Sequence, residues 1–445
     1  MIASPKRHDL APSRKKPGLL STLLGIAISA HLFAEVLRRF FGWSDIAYGL
    51  ADVIVLSVAL AVIIKYGLRL DSRIVTAFGI YVFLGVAGHL WSGHPIILVA
   101  VGLRPLVLGI AVYAIAEVAF SRVPDTSRRL RAVLSVWLVI ITVVAVYQIE
   151  AGVSAPINQI EGLPSGGRGD PYGGLDWLFR PTSIFMHTGR FGQFTFFLAL
   201  IFVLPILSRR PHSLGEWSLA SISLFAVLIS GQRAAFILLI LAILGVIFFQ
   251  KRGRLAFRAG GLLAAIFGLL AAANAHVLEA VVDRVASGFL GGFERIAEQG
   301  AGWSTGFMSY PLLGEGLGFF SLGAEPFGGE IYYSYMGRFG GGGENSWLSI
   351  QGEAGILGVA AFAVGLLLVV SRALRAYICT GGANGKNWEW HIAAAVFPLA
   401  LSLWALTHHV FSNYLHMIAL FTLFGASAGL EHQRLLSQAS ADGRA

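Results

Sequence analysis

The chain is poor in charge. Asp, Glu, Lys and Arg together make up 13% of its 445 residues, against about 25% in soluble domains. Hydrophobic residues reach 56% and the mean hydropathy is +0.71. That excludes an ordinary soluble enzyme and fits an all-α polytopic membrane protein. Cysteine is nearly absent: Cys379 is the only one, so no intramolecular disulfide can form and no thiol-rich metal site is expected. A signal-peptide cleavage site is also lacking. The basic start (Lys6, Arg7, Arg14, Lys15, Lys16) and the apolar run from Gly18 imitate a leader, but Arg38, Arg39 and more apolar runs follow. An uncleaved first span is expected.

What the chain has is apolar runs, about twelve of them: 19–37, 46–64, 74–92, 96–120, 130–150, 189–207, 214–230, 233–249, 256–275, 346–371, 391–407 and 411–430. The expected organisation is a cytoplasmic basic tail (1–18), five spans (19–150), a first outer loop (151–188) and four spans (189–275). A long outer loop (276–345), three spans (346–430) and a cytoplasmic tail (431–445) complete it. With the N-terminus inside, 23 of the 33 lysines and arginines fall in cytoplasmic loops or tails. The net charge of +9 therefore reports positive-inside topology and not nucleic-acid binding.

The ten exceptions are Arg38, Arg39, Arg104, Arg168, Arg180, Arg190, Arg233, Arg284, Arg295 and Arg338. None is a lysine. Arginine offers a planar fork suited to phosphate and carboxylate, where lysine is a point charge. An outer face studded with arginine points to an anionic, phosphorylated ligand, while Arg284 and Arg295 have acidic neighbours, Asp283 and Glu294, to pair with. Arg104 and Asp52 lie at similar depth, about eight residues or ~12 Å into their spans. They are expected either to pair or to leave Arg104 for a lipid diphosphate.

Three polar stretches stand together at the outer ends of spans. They are Arg180 to Gly192 with His187 and Arg190, the hairpin tip Ser230-Gly231-Gln232-Arg233, and Glu344-Asn345-Ser346-Trp347 followed by Glu353-Ala354-Gly355-Ile356-Leu357-Gly358. Pro311-Leu312-Leu313-Gly314-Glu315-Gly316 lies in the long loop between the last two. An arginine at a hairpin tip costs at least ~2.5 kcal/mol unless it meets water, an anion or a carboxylate; the alternative is a cation snorkelling to headgroups.

In order and in placement, these stretches resemble the O-antigen ligase and O-antigen polymerase superfamily, over roughly residues 180–370. The departure is Glu344-Asn345, where many members have His-Asn. The resemblance implies a GT-C-like glycosyltransferase of the bacterial inner membrane with its site facing the periplasm. Its substrate is a glycan on undecaprenyl diphosphate. Its acceptor is a hydroxyl of another lipid-linked glycan (a polymerase) or of lipid A core (a ligase). No metal or cofactor is implied, and polysaccharide assembly machinery is an expected partner.

Diphosphate leaves as an anion, so the chief catalytic demand is positive charge where negative charge develops. Arg190 and Arg233, then Arg180 and Arg104, are the candidate diphosphate ligands, and Glu344 and His187 the candidate bases. Inversion at the anomeric carbon is expected. Glu353 is expected to orient the loop's return or cap a helix. Trp43, Trp91, Trp303 and Trp347 fit an interfacial belt, Trp347 also being placed to touch sugar. A transporter or lipid-linked-oligosaccharide flippase is the competing class. It should show repeat symmetry or midplane sites, whereas here the connection after span six is about Ser208 to Ser213 and the polar residues crowd one face.

Overall fold

The computed structural model describes residues 18–152, most of 155–208, 212–250, 309–329 and 345–441, with short gaps among them. The ninth expected span, Arg180, Glu344 and most of the long loop lie outside the described residues. The other eleven expected spans are helices: α1 (Gly18–Phe41), α2 (Ser44–Tyr66), α3 (Ser72–Ser92), α4 (Ile97–Arg122), α5 (Thr126–Ala151), α6 (Thr188–Ile206), α7 (Leu214–Ile229), α8 (Arg233–Gln250), α9 (Ser346–Cys379), α10 (Trp388–Trp404) and α11 (Tyr414–Ala441). Eight of these, α1 to α6, α9 and α11, are long and apolar enough to cross a membrane; α7 and α8 are shorter apolar helices. The chain is a polytopic membrane protein.

Two helices form the centre. In α6 and α11, 94% of the most apolar window is buried, against 33–56% in the other long helices. Helix α11 lies along α4, α9 along α3, and α1 along α2. The α4–α11 contact is close because Gly425 and Gly429, one turn apart, face the α4 backbone at Tyr113 and Glu117, and Gly109 of α4 lies under Phe421. Small residues let helix backbones approach where no hydrophobic drive separates protein from lipid. Phe196 of α6 stacks on Phe397 and meets Trp404 edge to face, filling the space between α6 and α10. Exposed Phe83, Leu90, Trp91 and Ile64 show the lipid-facing composition of the periphery.

One end of the bundle gathers α1's C-terminus and the N-termini of α4, α6, α9 and α11, and is called here the arginine end. The segment between α5 and α6 carries two short antiparallel pairs, β1 (Gln159–Ile160) with β2 (Leu163–Pro164) and β3 (Pro171–Tyr172) with β4 (Leu175–Phe179). Arg39 ties this segment to α1: its guanidinium donates to Thr182 Oγ1, to the Phe185 carbonyl at 2.7 Å and to the Ile157 carbonyl at 2.7 Å. At the opposite end, His432 meets Glu117 and Arg69, and Arg131 bonds Glu389.

Residues 312–321 do not stay outside the bundle. The Leu317 amide donates to the Gly85 carbonyl of α3 (2.9 Å), and the Glu315 and Gly316 amides to the Gly352 and Glu353 carbonyls of α9 (2.7 and 3.1 Å). Gly85 is seven residues from the end of α3, so the loop reaches ~10 Å down the helix. Such a re-entrant segment is tolerated at membrane depth only because protein satisfies its backbone. Helix α9 opens to receive it. Gly355 has φ 68° and ψ −177°, a region available essentially to glycine alone, and its missing side chain leaves room for the Leu312 carbonyl. Glu353, nearly fully buried, accepts from Ser321 Oγ (2.8 Å) and Tyr81 OH (3.3 Å), orienting the loop's return. Gly314 thus lies against the α9 backbone at Gly352 and Glu353, and Gly355 against that of Leu312.

Candidate functional site

Helix α1 brings its ionisable residues to one face. His31, Glu35 and the Arg38–Arg39 pair recur at the three-to-four-residue spacing that stacks side chains along a helix. His31 and Glu35 are buried, and a charge can remain there only with partners. Helices α2, α4, α6 and α11 supply them.

Arg104 of α4 grips Asp52 of α2 with two hydrogen bonds, Nε to Oδ2 at 2.7 Å and Nη2 to Oδ1 at 3.2 Å. His31 Nε2 lies 3.0 Å from the same Oδ1. Arg190 of α6 reaches Glu35 Oε1 at 3.2 Å, and Tyr414 OH, at the start of α11, reaches that same oxygen at 2.7 Å. The Arg104 guanidinium carbon lies 5.0 Å from the Tyr414 ring centre and 5.7 Å from that of Tyr48. Arg38 lies 5.6 Å from the Tyr48 ring centre and donates to its hydroxyl at 3.5 Å. Tyr48 and Tyr414 meet edge to face at 5.3 Å.

Four arginines, Arg39 included, thus lie near two carboxylates. The excess of positive charge sits between helices, and two of the guanidinium groups, those of Arg38 and Arg104, lie within cation–π distance of tyrosine rings. The pairs differ in access. Arg104 and Asp52 side chains are 36% and 21% exposed, Arg190 is 20% exposed and Glu35 is sealed. Glu35 Oε2 and His31 Nδ1 are buried without a hydrogen-bond partner among the described residues.

Around this cluster the other motif residues take their places. His187 is exposed and caps α6, its Nδ1 accepting from the Gly189 amide at 3.0 Å. The α7–α8 turn packs on that same helix start: Gln232 Nε2 lies 3.5 Å from Thr188 Oγ1, and the Gln232 stem fills the space over Gly192. Arg233 is the first residue of α8, so its backbone stands beside the helix that carries Arg190. Its side chain lies outside the described residues. Asn345 caps α9 through the Trp347 and Leu348 amides at 2.9 and 3.2 Å. Ser346 ties this cap to the α10–α11 connection, its amide donating to the Ala405 carbonyl and its hydroxyl to that of His408, both at 2.8 Å. The segment that follows leads to Tyr414. The α9 start is therefore linked to the cluster by one short piece of chain.

Some expectations are redirected. The Arg104–Asp52 pair is formed. The Trp347 indole N–H is bound to the Ser402 carbonyl at 2.9 Å and its ring packs on Phe362 and Phe411. His94 is stacked on Phe319 at 4.1 Å and bonded to Glu315 Oε2 at 3.0 Å, holding the re-entrant loop. His416 is buried with Nδ1 3.0 Å from the Val410 carbonyl. Among the described residues no group of three or more His, Cys, Asp or Glu is placed to hold a metal.

Sequence reasoning assigned no role to Glu35, His31, Tyr48 or Tyr414. The available signal was the helical spacing of His31, Glu35 and Arg38, since ionisable residues one turn apart inside a span need a common partner. Neither a protein-family model nor a curated protein matches this chain.

Proposed function

We propose that this protein is a glycosyltransferase of the bacterial inner membrane that moves a glycan from undecaprenyl diphosphate to an acceptor hydroxyl on the periplasmic side, as a polymerase of exopolysaccharide or O-antigen. The observation that carries the reading is the convergence of Arg38, Arg104 and Arg190 from three separated helices around Tyr48 and Tyr414. Cations gathered at such cost inside a membrane protein mark an anion's place. The starts of α6, α8, α9 and α11 lie at the same end, and helix N-termini add partial positive charge there.

In this reading the arginines hold the diphosphate of the donor, with Arg233 and Arg180 adding to Arg190 and Arg104. The acceptor oxygen attacks the anomeric carbon from the side opposite the diphosphate. The new C–O bond forms as the bond to the phosphoryl oxygen breaks, and the diphosphate leaves with the bonding electrons. The hydroxyl proton passes to a base, for which Glu344 and His187 are the candidates. The arginines stabilise the charge that develops on the leaving oxygen. Positive-inside charge puts the arginine end in the periplasm.

Deleting the gene in its host tests the reading. Accumulated single lipid-linked repeats support a polymerase. Full-length chains that fail to reach lipid A core would instead make it a ligase. Purified protein in liposomes that moves lipid-linked glycan across the bilayer without lengthening it would make it a flippase.

A further inference from the structure

Asp52 occupies the part of Arg104 that a phosphoryl group would use. The carboxylate takes the Nε and Nη2 edge, at 2.7 and 3.2 Å, which is the side-on fork through which arginine holds phosphate with two parallel hydrogen bonds. Tyr414 and Tyr48 lie near the guanidinium at 5.0 and 5.7 Å. An anion reaching Arg104 from the open side cannot gain that bidentate contact while Asp52 remains.

Asp52 has somewhere to stay when it yields. His31 Nε2 is 3.0 Å from Oδ1, and His31 is fully buried, fixed at ring-contact distance from Tyr414 (5.2 Å). A carboxylate released by Arg104 keeps that hydrogen bond and is not stranded in an apolar setting, which would carry a heavy penalty. The more buried pair, Glu35 with Arg190, has no comparable access: the Glu35 side chain is sealed.

We propose that Asp52 is an exchangeable counterion that sits in the diphosphate's place on Arg104, and that His31 is the positioning residue that holds Asp52 once it is displaced. The inference rests on the diphosphate reading above. It defines a selectivity: a diphosphate, with its higher charge, evicts the carboxylate, and a singly charged lipid does not. It also bears on turnover. A site that bound diphosphate through uncontested arginines would hold the spent carrier as firmly as the donor, and uniform binding of that kind does not speed the reaction. The returning Asp52 competes for Arg104 and releases the carrier.

The test is binding of farnesyl diphosphate to the purified full-length protein in detergent, with each variant checked by thermal unfolding. Asp52→Asn is expected to tighten binding roughly fivefold or more, within the usual range of coupling between sites. His31→Phe keeps the ring beside Tyr414 and removes the hydrogen bond; it is expected to weaken binding by a similar factor, and to lose that effect in the Asp52→Asn background. A residue that merely braces the site would shift both variants the same way. Unchanged or weaker binding by Asp52→Asn overturns the inference, as does unchanged binding by His31→Phe. If Asp52→Asn does not fold, His31→Phe decides alone. Wild-type protein that folds but does not bind farnesyl diphosphate overturns the diphosphate reading itself; binding with the wrong signs overturns only the role of Asp52 and His31.

Discussion

Arg190 Nη1 lies 3.2 Å from Glu35 Oε1, an oxygen that also accepts from Tyr414 at 2.7 Å. Three helices far apart in sequence, α1, α6 and α11, are thereby joined at the arginine end. Because the Glu35 side chain is sealed, the pair ties the bundle together as well as presenting a cation.

Removing Arg190 therefore has two consequences. Arg190→Ala leaves the buried carboxylate without its counterion, and breaking a buried pair costs roughly 3–5 kcal/mol. Arg190→Ala/Glu35→Gln is expected to regain much of that thermal stability in detergent while staying inactive in polymer formation from lipid-linked repeats. Full activity in the double variant would show that Arg190 serves only the fold.

Arg233 separates charge from geometry. A bidentate contact that strengthens in the transition state is worth about 2.7–4 kcal/mol, and lysine keeps the charge without the fork. Arg233→Lys and Arg233→Ala are both expected to lower turnover roughly 100-fold or more, at normal protein level. Near-wild-type turnover of the lysine variant would return Arg233 to a cation snorkelling to headgroups.

Gly355 is the hinge at which α9 admits the re-entrant loop. Gly355→Ala places a side chain against the Leu312 carbonyl in a backbone region that costs of order 1–3 kcal/mol for other residues. A lower unfolding temperature is expected, with faster proteolysis in 312–329. Gly245, with open space around it in α8, is the control: Gly245→Ala should neither lower the unfolding temperature nor speed proteolysis, since alanine is the better helix former.

Sidedness can be read with single cysteines. Phe327 and Ser437 are exposed at opposite ends of the bundle. In a Cys379→Ser background, Phe327→Cys is expected to react with an impermeant thiol reagent in intact spheroplasts, and Ser437→Cys only after lysis. The reverse pattern would invert the topology and remove the periplasmic site.

The helices themselves were legible in the chain, because membrane spans are local objects. About 20 consecutive apolar residues suffice to define one, and runs such as 74–92 and 96–120 became α3 and α4 within two residues at each end. The arginine clustering was legible for a similar reason: a cation is conspicuous against an apolar background, and Arg104 and Arg190 do end in one cluster. The partners were not legible. Glu35 meets Tyr414, which is 379 residues away, and Tyr81 meets Glu353 across 272 residues; hydrophobic spacing carries no information about which face of one span touches which face of another. The re-entrant course of 312–321 was hidden as well. A short glycine-rich segment looks like an outer loop in sequence, and it enters the bundle because Gly88, Gly102 and Gly355 leave room for its backbone, and Gly85 and Gly352 for its Leu317 and Phe320 side chains. Composition and local spacing settled that this chain crosses a membrane with arginines gathered toward one end. Tertiary packing decided which carboxylate each arginine meets, because a buried charge must find its partner in space, wherever the sequence happens to keep it.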